Sequence, residues 1–505
     1  MKFLLTLQES LKIHSKRNAF FIDGTYFTYG QLDIKISQIR YAIQNEIPPS
    51  EKLIGLVTND DLETYAGIIA LWFEGKAYVP INPIYPIDRN NQILKLTDSS
   101  YVLDSSSDSA YKTKFKVLNT NTSGPVVSQS LKPNLNLGEP IDLAYILFTS
   151  GSTGTPKGVP ITLENLNGLV RALDRDELFN LKPSDRCLQM FELTFDFSLV
   201  TYLPPLLYGA CVYTIPKNAI KHFYIFKLIS EQELTVLTMV PSIIQFLRPY
   251  FGEIHSTSVR YCSFGGGKLY NDIAESWSAC IPNCQIFNYY GPTEFTVYSG
   301  YYPYDADKKK KSNNGIVSIG KPFYGVDYLV VDTNNNEVSV DTVGELCLSG
   351  IQITSGYWKD PERNKSAFFT RQENGALKRY YKTGDLCYKD TDGDYIYVGR
   401  ADFQVKIRGY RVELGEVEYH VKKKLSGIDV VVIDITDDLG NTELGLAVCS
   451  EELDLKPVLS YLKEMLPPYM IPTQFLYVQQ FPHSVNDKID MKALRSLFNN
   501  SKLKK

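Results

Sequence analysis

The stretch LAYILFTSGSTGTPKG, Leu143 to Gly158, decides the fold. Its first part, LAYILFT (Leu143 to Thr149), is apolar, aromatic or β-branched, as a buried strand requires. Its second part, SGSTGTPKG (Ser150 to Gly158), is made only of Gly, Ser, Thr, Pro and Lys. Small residues let backbone N–H groups approach a polyphosphate closely, and the hydroxyls and Lys157 add donors and charge. The G-K-[ST] ending of a Walker A loop is missing. Taken alone, such a loop reads most simply as a flexible connection.

Outward from this loop, strand-like and helix-like segments alternate over the first three quarters of the chain. Residues Asp61 to Glu74 carry apolar groups at helical spacing and Gly75 stops the run; Ala77 to Ile81 then reads as a short buried strand. Leu234 to Met239 reads as another strand, with a helix expected from Pro241, since proline suits the first helical position. This alternation predicts an α/β fold with parallel sheets covered on both faces. Character changes near residue 400. GDYIYVGR (Gly393 to Arg400) reads as the end of a hairpin, Gly415 to Leu425 as a helix ended at Gly427, Val430 to Ile435 as a strand, and a further helix begins near Pro457. The expected division is a large domain over residues 1–401 and a small mobile α/β domain over 402–505, with the hinge at Asp402.

Composition narrows the function classes. With 505 residues, 44% hydrophobic and 22% charged, the chain is long and apolar enough for several cores. A net charge of -4 leaves no electrostatic footprint for nucleic acid or an anionic membrane. The run Lys308 to Lys311 reads as a solvated loop tip. The opening MKFLLTLQES has too short an apolar patch for a signal peptide, and no segment approaches the roughly 20 apolar residues of a membrane span. The eight cysteines are scattered without zinc-ligand spacing, which reads as reduced thiols in the cytoplasm.

The loop does not stand alone. FTYGQL (Phe27 to Leu32) and GKAYVPINP (Gly75 to Pro83) precede it. FDFS (Phe195 to Ser198), NYYGPTE (Asn288 to Glu294), GELCLSG with SGYW (Gly344 to Trp358) and YKTGDL (Tyr381 to Leu386) come after it. GRADFQVKIRGYRVELGEVE (Gly399 to Glu418), LPPYMIP (Leu466 to Pro472) and VNDKID (Val485 to Asp490) complete the series. In this order, over nearly the whole chain, these motifs resemble the adenylate-forming superfamily: adenylation domains of nonribosomal peptide synthetases, acyl-CoA synthetases and luciferases. The resemblance implies a large domain with doubly wound mixed or parallel sheets plus a small barrel, and a small domain that swings after the first half-reaction.

The resemblance also implies a chemistry. ATP-dependent activation of a carboxylic acid as acyl-adenylate needs charge neutralisation and alignment more than a base, because the carboxylate is already ionised. By the family's pattern Lys488 bridges carboxylate, α-phosphate and ribose oxygen, although the usual Asn-Gly-Lys reads Asn486, Asp487, Lys488 here. Thr149, Ser150, Gly151, Ser152, Thr153, Gly154 and Lys157 form the phosphate cradle. Asn288, Tyr289, Tyr290 and Gly291 frame the nucleotide, with Tyr290 stacked on adenine. Thr293 faces the α-phosphate, and Glu294 carries Mg²⁺, which needs few carboxylates when phosphate oxygens supply the rest. Asp385 holds the ribose diol, flanked by Tyr397 and Arg400. Lys406, like Asp402, belongs to the reorientation segment and the second half-reaction. Each of these residues in isolation reads as an ordinary surface or hairpin residue: Gly291-Pro292 as a simple turn, Lys406 and Arg408 as a charged strand face.

Asp196 discriminates substrate class, because in amino-acid-activating members this Asp pairs with the substrate α-ammonium, and a buried unpaired carboxylate is costly. Its other reading is a helix cap. The implied pocket lining is Phe197, Val200, Ser242, Cys262, Phe264, Tyr289, Val297 and Tyr298, and so many rings favour a small amino acid. GYRVE (Gly409 to Glu413) is similar to D-alanine–carrier protein ligases, but those place Cys after the Phe where this chain has Phe264, Gly265, Gly266, Gly267. With no carrier-protein motif in the sequence, the implied acceptor is the phosphopantetheine thiol of a separate carrier protein, or coenzyme A. The competing readings are an acyl- or aryl-CoA synthetase and a catalytically silent nucleotide-binding homologue.

Overall fold

The computed structural model describes residues 2–121, 142–151, 156–175, 180–308, 310–373, 375–402, 404–482 and 489–502. The chain forms two compact units. The first comprises Met1–Pro83, Ile93–Phe148 and Gly158–Ala401; the second comprises Ile84–Gln92, Thr149–Lys157 and Asp402–Lys505.

The first unit is built on two large sheets. One runs Lys116–Asn119, Tyr101–Asp104, Leu53–Val57, Ala77–Ile81, Leu143–Thr149, Lys157–Thr162, and its pairings from Lys116–Asn119 to Leu143–Thr149 are parallel. The other has nine strands. Six of them pair in parallel in the order Gln285–Tyr290, Tyr261–Phe264, Val236–Met239, Arg186–Gln189, Cys211–Thr214, Asn18–Ile22, with antiparallel strands at both edges. The helix Leu62–Phe73 is apolar all round and has eleven buried residues, the pattern of a helix with no solvent face. Asp61 caps it by accepting from the Thr64 N–H at 2.9 Å. Gly67 packs on Leu56 of the first sheet, and Tyr65 packs on Phe20 of the second, their ring centroids 4.5 Å apart.

A third sheet, antiparallel, runs Val326–Val331, Gly344–Gly350, Ala376–Lys389, Phe368–Glu373, with Tyr395–Arg400 also paired to the long strand Ala376–Lys389. The expected small barrel is not closed: among the described residues no pairing joins Val326–Val331 to the far end of the ladder. The lysine run is divided: Lys308 is exposed, as expected, whereas Lys310 and Lys311 are held in ion pairs. Lys311 Nζ sits 2.7, 2.8 and 2.6 Å from carboxylate oxygens of Asp390, Asp392 and Asp394, and Lys310 reaches Glu275 at 2.7 Å.

In the second unit the strands Val430–Thr436, Thr442–Cys449 and Gln474–Val478 form one sheet. Alternation along its first strand divides two cores: Val430 and Val432 pack with Val417, Val421, Val458 and Leu462 of the helices Leu414–Lys424 and Lys456–Met465, whereas Val431, Ile433 and Ile435 pack with Leu494 and Phe498 of the helix Met491–Lys502. A separate hairpin, Gln404–Ile407 with Tyr410–Glu413, turns through Arg408 (φ 51°) and Gly409 (φ 91°), the two left-handed positions of a tight two-residue loop. Among the described residues no helix is long and apolar enough to cross a membrane.

Candidate functional site

Four neighbouring parallel strands of the nine-stranded sheet end close together, because register pairs Cys187 with Val236, Met239 with Phe264 and Phe264 with Asn288. Clefts beyond the carboxyl ends of parallel strands are where α/β folds place ligands. From these ends come Phe195 to Phe197 after the strand Arg186–Gln189, Ser242 in the first turn of the helix Pro241–Leu247, Gly265 after Phe264, Tyr289 and Tyr290 at the end of the strand Gln285–Tyr290, and Gly291 to Glu294 after it. Cys262 lies within its strand rather than at its end and is fully buried. Val200 is buried one turn into the helix Phe197–Leu207.

Asp196 occupies the N-cap position of that helix yet makes no side-chain capping bond, so the helix-cap reading does not account for it. The residue is 2% exposed. Around it the rings interlock. Phe195 and Phe197 stack at 5.1 Å, Phe197 meets Tyr298 edge-on at 5.1 Å, and Tyr298 stacks on Tyr289 at 4.4 Å. The Tyr289 hydroxyl is pinned to that of Tyr261 at 2.5 Å.

The turn after Tyr290 is tightly specified. A side chain on Gly291 would meet the Val297 carbonyl oxygen at 2.2 Å. Thr296 (φ 54°) and Val297 (φ 71°) are both β-branched and both left-handed, a costly conformation that persists only where surroundings over-determine it. Gln352 does so: its Nε2 donates to the Tyr298 carbonyl at 2.6 Å, and its own backbone carbonyl accepts from Thr296 Oγ1 at 2.6 Å. Glu294 is fully buried and accepts from the Tyr357 hydroxyl at 2.7 Å. Asn288 Nδ2 donates to the Ser318 carbonyl at 2.9 Å. Thr293 opens the short helical turn Thr293–Phe295.

Asp385 and Arg400 face each other because the antiparallel register of their strands makes them direct partners. Arg400 Nη1 lies 2.9 Å from Asp385 Oδ1 and 2.9 Å from the Thr383 carbonyl. The Tyr290 hydroxyl donates to Asp385 Oδ2 at 2.5 Å. Burial, and then the neighbouring Asp385 carboxylate, push that hydroxyl well above the ordinary tyrosine range, so it stays a donor. Tyr397 lies on the same strand as Arg400, opposite Cys387, with its carbonyl held by Asn313 at 3.3 Å.

In the second unit, Ser150, Gly151 and Lys157 meet the Tyr410–Glu413 strand and the helix after it. The Ser150 hydroxyl donates to the Arg411 carbonyl at 2.8 Å and accepts from the Glu413 N–H at 3.1 Å. The Gly151 N–H donates to Glu416 Oε2 at 3.0 Å, and Lys157 Nζ lies 3.4 Å from Glu413 Oε1. Lys406 is exposed on its strand opposite Arg411, as a charged strand face requires. Asp402 accepts from the Gln404 N–H at 3.1 Å. Lys488, Ser152, Thr153 and Gly154 lie outside the described residues.

The family described as AMP-binding enzyme matches residues 7–358. The chain belongs to the AMP-binding enzymes. Among relatives of this AMP-binding enzyme, gramicidin S synthase 2 of Brevibacillus brevis is 32% identical over 96% of the chain, and tyrocidine synthase 3 of Brevibacillus parabrevis 30% over 96%. The chain spans only 11% and 7% of those proteins' lengths. Its fold matches the Vibrio cholerae adenylation domain AlmE, solved with glycyl-adenosine-5'-phosphate, at a TM-score of 0.85 and 26% identity, covering 99% of this chain and 98% of AlmE. The adenylate-forming assignment and the mixed α/β architecture are thereby established.

Several residues that hold these candidate groups in one unit or the other carry no local sequence signal. Gln352, Tyr357, Tyr261 and Glu416 act through partners dozens to hundreds of positions away. Only Tyr357 and Glu416 fall inside family motifs, SGYW and the GRADFQVKIRGYRVELGEVE segment, which mark them as candidates without saying what they touch.

Proposed function

We propose that this chain activates a small amino acid, glycine foremost, as the aminoacyl-adenylate with release of pyrophosphate, and then passes it to the phosphopantetheine thiol of a carrier protein or of coenzyme A. The observation that carries the reading is Asp196, a buried carboxylate between Phe195 and Phe197 in the chain, with Tyr298 close enough to feel its charge. A buried carboxylate holds an ammonium through a charge-assisted hydrogen bond, and the substrate α-ammonium is the cation this one would receive. Phe197 packs with Tyr298 and Tyr298 with Tyr289, and so many rings favour a small side chain. AlmE, of matching fold, carries a glycyl adenylate.

On this reading Asp385 accepts from the ribose diol, Tyr290 and Arg400 orient that carboxylate, and Ser150, Gly151 and Lys157 bind phosphate oxygens. Lys488 neutralises the carboxylate as it meets the α-phosphate. Glu294 offers the hard carboxylate oxygen that Mg²⁺ takes together with phosphate oxygens, so its donor chemistry fits that ion. Tyr357 fixes one oxygen of Glu294, and Mg²⁺ would screen the phosphate charge there. Domain division at residue 401 and the part of Lys406 in thioester formation belong to the same reading.

ATP–pyrophosphate exchange across a panel of amino acids and simple carboxylic acids tests it. Exchange with glycine or another small amino acid, abolished in Lys488→Ala, is the expected result. Exchange only with fatty or aryl acids would replace the reading by an acyl- or aryl-CoA synthetase, and no exchange with any acid while ATP still binds would mark a silent homologue.

A further inference from the structure

A phenol buried in a protein is ordinarily bonded to something. Here Tyr29 donates to the Ala210 carbonyl at 2.7 Å, Tyr357 donates to Glu294 at 2.7 Å, and Tyr65 accepts from Gln189 Nε2 at 3.3 Å. The Tyr145 hydroxyl is fully buried and has no such partner among the described residues. Buried polar groups are nearly always satisfied, so an exception marks a place where a further group is bonded.

Register fixes where that hydroxyl sits. Tyr145 and Tyr78 are direct partners on the neighbouring parallel strands Leu143–Thr149 and Ala77–Ile81, so both rings stand on one face of their sheet. Their centroids are 5.6 Å apart, and the residues are 0% and 1% exposed. Tyr202, on the helix Phe197–Leu207, brings a third buried hydroxyl close to these two. That helix packs on Arg186–Gln189 and Cys211–Thr214 of the nine-stranded sheet, so the three phenols meet between the two sheets.

Asp196, immediately before the helix, is close enough for its charge to act on both Tyr78 and Tyr145. Burial first, with that charge added, pushes both phenols up, so each keeps its proton and has a donor to offer a carboxylate. Asp196 makes no capping bond to its own helix, so the helix does not fix its side chain.

We propose that Tyr145 is a positioning residue for amino-acid recognition: its hydroxyl, with that of Tyr78 beside it, donates through one water to the Asp196 carboxylate. A buried water needs several polar partners, and the phenols and the carboxylate supply them. The donated bonds keep the carboxylate ionised and hold one orientation of it, so that it meets an incoming α-ammonium without reorganising. This inference rests on the functional reading above, in which Asp196 receives the substrate ammonium.

Tyr145→Phe keeps the ring and removes only the hydroxyl. The exchange assay reads KM for ATP and for the amino acid that the wild type exchanges best, glycine on the reading above. The matching acid without an amino group, acetate for glycine, is measured as a competitive inhibitor. The amino-acid KM is expected to rise by about fivefold, with the ATP KM and the acetate inhibition constant within about twofold of wild type. Tm should not fall, because the hydroxyl removed bonds no other protein group. An amino-acid KM raised by less than about threefold would overturn the inference while the functional reading survives. So would equal weakening of glycine and acetate, the mark of a ring that only shapes the interior. Tyr78→Phe should raise the amino-acid KM with the same selectivity, and it is judged by the same criteria should Tyr145→Phe fail to fold. A wild-type protein inert toward every amino acid would instead defeat the functional reading, and the inference with it.

Discussion

Arg89 and Glu416 are 327 positions apart and form an ion pair at 2.8 Å, with side chains 7% and 0% exposed. Both belong to the second unit, where the other oxygen of Glu416 accepts from the Gly151 N–H. One carboxylate thus ties three separated segments together. Removing one partner of a buried pair strands the other charge, which costs about 3–5 kcal/mol. Arg89→Met should lower unfolding stability by that order. Chemical denaturation of wild type, Arg89→Met and a Glu416→Leu/Arg89→Met double variant checks it, and the double variant should recover much of the loss.

Asp385 is held by Arg400 on one oxygen and Tyr290 on the other. Asp385→Asn keeps the shape and removes the charge. Charge-assisted hydrogen bonds contribute about 1.5–3 kcal/mol each, so the KM for ATP should rise by about tenfold or more, with the KM for the acid less affected. Exchange kinetics at varied ATP decide this.

Gln352 supports a strained turn from a distant part of the chain. Gln352→Leu leaves the Tyr298 carbonyl without its 2.6 Å donor and lets Thr296 and Val297 leave the left-handed region. An unsatisfied buried group costs about 1–3 kcal/mol. The expected outcome is a modest fall in Tm with a proportionally larger fall in exchange activity, because the turn connects Glu294 to Tyr298. A variant with the Tm and activity of the wild type would count against this role.

His420 gives a pH signature. Burial first, then the charges of Lys423 and Arg89, hold it down at about 4 against an ordinary 6.5. The folded state therefore binds fewer protons than the unfolded state between those values, and stability falls as pH drops from about 6.5 to 4. Above pH 6.5 this contribution is fully present. His420→Gln, a residue without a titrating ring, should flatten the slope in that window, as equilibrium unfolding at several pH values would show.

Local elements are legible in the chain because their causes are local. Ala77–Ile81 is a strand as its apolar run indicates, Asp61 caps the helix that Gly75 terminates, and Pro241 opens a helix. The helix Leu414–Lys424 and the strand Val430–Thr436 fall within a residue of expectation. Motif order is enough for the family. Even the facing of Asp385 and Arg400 comes from a hairpin between them. Among the described residues the expected barrel does not close, because closure depends on whether the two ends of a ladder meet, and no residue type encodes that.

What the amino-acid sequence determined by itself is the periodicity of the elements, the cap and turn chemistry, and the set of residue types at the site. What only the tertiary structure decided is which of these groups touch: Gly265 against the Phe197 ring, Gln352 on the Tyr298 carbonyl, Arg89 on Glu416. The reason is physical. Backbone propensity and hydrophobic period act over a few residues, whereas steric exclusion and charge pairing act through space between segments that only chain folding brings within a few ångströms.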